Sequence, residues 1–365
     1  MQIEAIAWMV RDLGERPSSI LITSTHLVVG GWDGRLTCWH LDGESAWSVQ
    51  LPDRIQEIVF AQTCYFVNSG LFVINIDAQS GVENWRVETE GSADYLIFNA
   101  ANNQVVATSS VYDIEHGDFM ESAVWFIDSE SGEVNNCEHF DERPWHLSLK
   151  GDVAVMGLGR PRGGLLVVGN ESKWQALAGT SPVTCGIVGR QHQLFGHADG
   201  LVSLWENEKA TPLVTFDATI EQIICTPKGF LVALESGVCV ACDEDGSELW
   251  QVAVEGQIIA ADNGFQIRET ETVWLLYRAE SSGELVVCSD DGTTAAQFDL
   301  SSSPTALMAT KTHSAIATAD GNIYLFEGEL FNRRLETLTD SKPTDSDATD
   351  KRREMMAKLR KLRGG

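Results

Sequence analysis

The sequence contains no run of about 18 apolar residues, so no segment reads as a membrane-crossing helix. Its first residues, MQIEAIAWMVRDL, have neither a basic stretch nor a continuous apolar core, which argues against a secretory signal. Positive charge is scarce: 26 Lys and Arg stand against 53 Asp and Glu, a net of -27. A body this acidic is a poor match for a phosphate backbone, so nucleic acid is not expected to bind it. Also missing are G-x-S-x-G, a phosphate-binding G-x-x-x-x-G-K-[ST] loop and H-E-x-x-H. Long helical periodicity is absent from residues 1–330. None of the eight cysteines is adjacent to another, and most lie in apolar strand-like runs, where a thiol acts as a small hydrophobe. That usage fits a reduced, cytoplasmic compartment.

What is present is repetition. His26, His192 and His313 are each followed, seven residues on, by Asp-Gly (Asp33, Asp199, Asp320). An aromatic residue stands six beyond each Asp: Trp39, Trp205 and Phe326. The first and last histidines lie 287 residues apart, which is seven steps of 41. A four-stranded propeller blade takes about 40–45 residues. A second signature, G-x-x-x-W, recurs at Gly43/Trp47, Gly81/Trp85 and Gly246/Trp250, with Phe140, Trp174, Phe216 and Phe298 near the equivalent places. Glycine suits the tight turn, and the large ring then covers the edge of a neighbouring blade.

These marks divide the chain into units at 19–51, 55–88, 93–140, 145–177, 182–216, 220–254 and 257–300, with an eighth beginning at Thr305. Units three and seven carry extra length, at 109–122 and about 266–282, read as long hairpins or face loops. ILITS, LFVINI, LLVVG, LVSLW and FLVAL are apolar on both faces, as strands sandwiched between two layers should be. The eighth unit has only three clear strands, while residues 3–13 align with 44–53 and place Trp8 in register with Trp47. The expectation is an all-β propeller of eight four-stranded blades, with seven as the alternative. The N-terminal strand closes it by pairing with the last blade, leaving no open seam.

The expected propeller spans 1–331, a polar linker 332–350, and a basic tail 351–365. The tail is KRREMMAKLRKLRGG, a short basic amphipathic helix with Met355, Met356, Leu359 and Leu362 on one face. Residues 1–350 balance at -33 and the tail at +6. Lys351, Arg352, Arg353, Lys358, Arg360, Lys361 and Arg363 are therefore the candidate partner-binding residues.

The Asp-Gly turn followed by a strand ending in an aromatic (WDGRLTCWHL, ADGLVSLWEN, ADGNIYLFEG) resembles the third strand of WD40 repeats. The pattern NIDAQSGVENW and CDEDGSELW is similar to quinoprotein (PQQ)-type propeller repeats, the family of the outer-membrane assembly lipoprotein's propeller and the PQQ-dependent alcohol dehydrogenases. The WD40 Gly-His pair and Trp-Asp dipeptide are missing, so the quinoprotein-like pattern fits better. Such propellers usually serve as binding platforms. The resemblance also implies, for the enzymes of that family, a calcium-bound carboxylate base and an adjacent Cys-Cys pair. No adjacent cysteines occur, so no cofactor is expected.

Other candidates read as structural. The repeated histidines and aspartates sit at opposite ends of a strand, roughly 20 Å apart, and cannot pair within a unit. Cys239 and Cys242 form the one C-x-x-C but lie on a strand, pointing to opposite faces. The Gly157–Gly164 stretch precedes a strand, not a helix, and reads as a hairpin. The acidic turns at Asp243 and Asp290 lack the ligand spacing of a calcium loop. Leu362-Arg363-Gly364-Gly365 resembles the end of ubiquitin, and Gly-Gly also suits a helix end. The leading expectation is a non-enzymatic, monomeric, cytoplasmic scaffold for protein partners, with no membrane role. Its tail would serve a second, acidic partner, protein or nucleic acid, or fold back on the body. The alternatives are a quinone-type enzyme or small-ligand propeller with an axial site, and a protein conjugated or processed at its tail.

Overall fold

In the computed structural model, residues 3–169, 171–189 and 192–340 are described. They form eight antiparallel four-stranded sheets in meander order. The blades occupy 17–50, 55–88, 92–140, 144–175, 183–215, 220–253 and 257–300, and the eighth joins 304–327 to residues 9–12. Eight is therefore the blade number. The strand Met9–Asp12 runs antiparallel to Asn322–Glu327, with Met9 opposite Leu325 and Asp12 opposite Asn322. An early strand thus completes the final blade, and the last edge is paired.

The core is divided by the same symmetry. Eight apolar clusters fill the eight gaps between neighbouring blades. Consecutive residues of one strand feed different gaps: Leu27 and Val29 face the last blade, while Val28 faces the second. This is why the strands are apolar without alternation. Trp39 is buried in the gap between blades 8 and 1.

The Asp-Gly turns need glycine. Gly34 has φ 87°, and a Cβ there would stand 2.4 Å from the Leu51 carbonyl oxygen. The G-x-x-x-W tryptophans dock each blade on the next. Trp47 Nε1 donates to the Ala78 carbonyl (2.9 Å), Trp85 to Ser129 (3.0 Å) and Trp250 to Asp290 (3.1 Å). Trp8 does the same across the closing seam, donating to Leu41 (2.9 Å), as its register with Trp47 requires. Trp174 departs from this pattern: it donates to Gly163 of its own blade (2.8 Å), under the Arg162 guanidinium.

The extra length in blades 3 and 7 forms long hairpins, as expected: Gln104–Asp113 with Asp118–Asp128, and Gln257–Ile267 with Thr270–Arg278. The stretch assigned to a linker from 332 onward differs, because an α-helix, α1, runs Gly328–Asp340. The Glu327 carboxylate accepts the Glu329 and Leu330 amides (3.1 and 2.8 Å) and caps it. Phe331 is fully buried among Phe265, Trp274, Phe298 and Phe326. Phe331, Leu335 and Leu338 stand at helical spacing, the signal that could have placed this helix. The basic tail expected at 351–365 lies outside the described residues.

Candidate functional site

In a meander blade, the turn between strands two and three emerges on the same side as the link to the next blade. We call this the upper face, and the side carrying the other two turns the lower face. The first two strands lose register near the upper end in every blade. Each shift is a bulge that frees a side chain from the ladder at the mouth of the axis. The freed residues are chemically diverse: Ser18, Gln56, Asp94 with Tyr95, Trp145, Thr184, Glu221, Ile259 and Thr305. Ser18 Oγ donates to the Ile55 carbonyl (2.7 Å) and Thr184 Oγ1 to Ile220 (2.5 Å), tying neighbouring blades. With no residue type common to all eight blades, these positions leave no repeat signal in the sequence.

Blades 1–4 carry a distinct surface here. The guanidiniums of Arg54 (3.9 Å) and Arg16 (4.9 Å) both stack near the Trp32 ring, and 42% of Trp32 stays exposed. Burial, then the nearby Arg16, lowers the Arg54 pKa. Across the mouth the order inverts: Arg143 lies between Phe119 (3.9 Å) and Trp145 (4.5 Å). Such stacks hold large contact groups in place before any partner arrives. Leu71 crowns blade 2, and the blade 3 hairpin presents Tyr112, Ile114 and Met120 to solvent. Ile114 is 88% exposed.

The hairpin is anchored from beneath. Asp94 is buried and accepts from Ser110 Oγ (2.6 Å) and the Arg143 guanidinium (2.8 Å). Ser122 Oγ donates to Ser110 Oγ (3.0 Å). Burial raises the Asp94 pKa, opposed by Arg143. Tyr95 reaches from blade 3 to the Trp145 carbonyl of blade 4 (3.0 Å), and burial raises its pKa as well.

The axial wall holds titratable groups, but neighbouring strands engage several of them. Glu57, pushed up to about 7 by burial, accepts the Leu96 amide of the next blade (2.7 Å). Gln222 bonds both backbone groups of Ala261 (3.0 and 2.8 Å), and Asp262 accepts the Ala309 amide (2.8 Å). Burial lowers His146 to about 4, and its ring packs edge-on against Phe195.

The remaining sequence candidates fall where their spacing suggested. His26 and His313 open second strands, and His192 immediately precedes one. His26 bonds the Thr25 hydroxyl (3.1 Å) and the Tyr65 hydroxyl (3.3 Å). Cys239 faces the gap toward blade 7 and Cys242 the gap toward blade 5. Burial pushes their thiols up to about 12 and about 11. Asp243 accepts the Asp245 and Ser247 amides (3.0 and 2.8 Å), as a turn residue does. Among the described residues, Glu90, Glu121 and His139 group at metal-ligand distances, but all three are exposed.

Residues 5–139 match the family model described as outer membrane protein assembly factor BamB. The chain is an eight-bladed β-propeller, and its first three blades match that repeat family. The propeller resembles BamB from Moraxella catarrhalis with a TM-score of 0.69 at 13% identity, covering 88% of this chain and 97% of that one. It resembles Saccharomyces cerevisiae Sqt1 with a TM-score of 0.73 at 10% identity, over 90% and 99% of the two chains. The structure of BBS1N in complex with ARL6DN matches with a TM-score of 0.57 at 12% identity, over 88% and 96%. No curated protein matches the propeller in sequence. These structural likenesses establish the fold.

Proposed function

We propose that this propeller is a non-enzymatic scaffold that binds a partner protein on the upper face of blades 1–4. The observation that carries the proposal is the grouping of exposed Trp32, Leu71, Tyr112, Ile114 and Trp145 on one face, with two of them held in arginine stacks. Trp, Tyr and Arg are the residue types that dominate binding energy at interfaces. Their ordering before contact lowers the entropy lost on binding. That BBS1N was solved with ARL6DN supports protein binding by a propeller of this shape. The axial carboxylates favour the scaffold over an enzyme, since Glu57 and Asp262 each accept a backbone amide of the next blade.

The eight free thiols support a reducing, cytoplasmic setting, and the scaffold is proposed to act as a monomer. The cations Lys351, Arg352, Arg353, Lys358, Arg360, Lys361 and Arg363 offer a second contact, for an acidic partner. The test is crosslinking and recovery from native cells, comparing the wild-type chain with Trp32→Ala/Ile114→Ser. A partner held by the wild type and lost from the variant is expected. An unchanged set of partners, or turnover of a small molecule without any partner, overturns the reading.

A further inference from the structure

The lower face of blades 5–8 carries a continuous groove built from three hollows. The one between blades 5 and 6 has a volume of about 430 Å³, that between blades 6 and 7 about 300 Å³, and that between blades 7 and 8, bounded by α1, about 450 Å³. The first two share a wall of Cys225, Thr226 and Pro227, and the last two share Gly264, Glu271 and Lys311. The middle of the groove is apolar, with Leu249, Trp250, Ala241 and Val273. Leu249 and Val188 are each 45% exposed. Its charged lining is acidic: Glu244, Glu271, Asp290, Glu327 and Glu329 stand against Lys228 and Lys311. Lys228 is already paired with Asp290 (2.8 Å).

We propose that this groove is the docking site of the chain's own basic segment, residues 351–363. The segment carries seven cations and one carboxylate, complementing the acidic rim, and its Met355, Met356, Leu359 and Leu362 match the apolar floor. Methionine adapts to an irregular apolar surface. The connection is long enough. Helix α1 has 13 residues, about 20 Å at 1.5 Å each, and starts at the groove. Residues 341–350 span at most about 33 Å when extended, more than the helix they must retrace. A 13-residue helix is again about 20 Å long. Tethering sets an effective concentration on the order of millimolar, so weak contacts suffice to keep the segment docked. Exposed charge pairs are screened by salt, so the contact is expected to loosen as ionic strength rises. An acidic partner that takes the tail would have to draw it out of the groove, which exposes Leu249 and Trp250. The inference concerns the lower face and stands or falls apart from the partner on the upper face.

Two experiments on the full chain test it. In the first, Leu249→Cys and Met356→Cys are introduced together and oxidised at low micromolar concentration, and the disulfides are mapped by mass spectrometry. A link between the two introduced thiols within one chain is expected. A link between chains assigns the groove to a second copy's tail and overturns docking in cis. Links scattered over native Cys64 and Cys137, on blades 2 and 3, also overturn it. The second experiment follows tryptic cleavage within 351–363. Cleavage is expected to speed up several-fold in 0.5 M salt (roughly a 4–5 Å Debye length) and in Glu244→Gln/Glu271→Gln/Glu329→Gln. Circular dichroism checks that the variant is folded. Equal cleavage rates for wild type and variant at low salt would sink the proposal.

Discussion

Glu57 gives the most direct measurement of how the axial wall is held. Its carboxylate sits among protein atoms, accepts the Leu96 amide at 2.7 Å, and is pushed up to about 7 from an ordinary 4.5. Because its folded pKa is raised, the folded chain holds this proton more tightly than the unfolded chain does. Stability is therefore lost as pH rises from the unfolded value through about 7. The full shift, at 1.36 kcal/mol per unit, corresponds to about 3 kcal/mol. Partial access of water to the axis brings this to roughly 1–2 kcal/mol. Glu57→Gln keeps an acceptor for the Leu96 amide and removes the charge. Urea denaturation of both proteins at pH 5.5 and pH 8 is the assay. The variant should gain on the wild type as pH rises, with the wider gap at pH 8. A gap that does not change between the two pH values would refute the burial argument.

Four further outcomes follow from the contacts between blades. Trp47→Phe deletes the bond to the buried turn at Ala78 and should cost about 1–2 kcal/mol in thermal or urea unfolding. Gly81→Ala should cost at least as much, since Gly81 has φ 72° and a Cβ there would stand 2.7 Å from the Trp47 ring. Arg143→Met strands the buried Asp94 and should destabilise by about 3 kcal/mol, with Asp94→Asn in the same chain restoring much of it in a double-mutant cycle. Cys239 and Cys242, with thiols at about 12 and about 11, should resist a thiol reagent at pH 8 until the protein is unfolded.

The sequence by itself determined the architecture. The Asp-Gly turns demand a left-handed residue at Gly34, Gly200 and Gly321, a local backbone requirement that glycine meets without strain. The spacing of those turns set the blade length, and the alignment of Trp8 with Trp47 identified the closing strand. Strands apolar on both sides announced neighbours on both faces. Helix α1 was not read from the sequence, which assigned 332 onward to a linker, although Phe331, Leu335 and Leu338 stand at helical spacing. Only the tertiary structure decided which residues meet. Trp32 meets two guanidiniums because the links on either side of blade 1 deliver Arg16 and Arg54 to its ring. Asp94 and Arg143 are 49 residues apart in the chain, and no local rule pairs them. The bulged positions at the axis were invisible for the same reason. A repeat reveals itself through the residues each unit must share, and these positions are where each unit is free to differ.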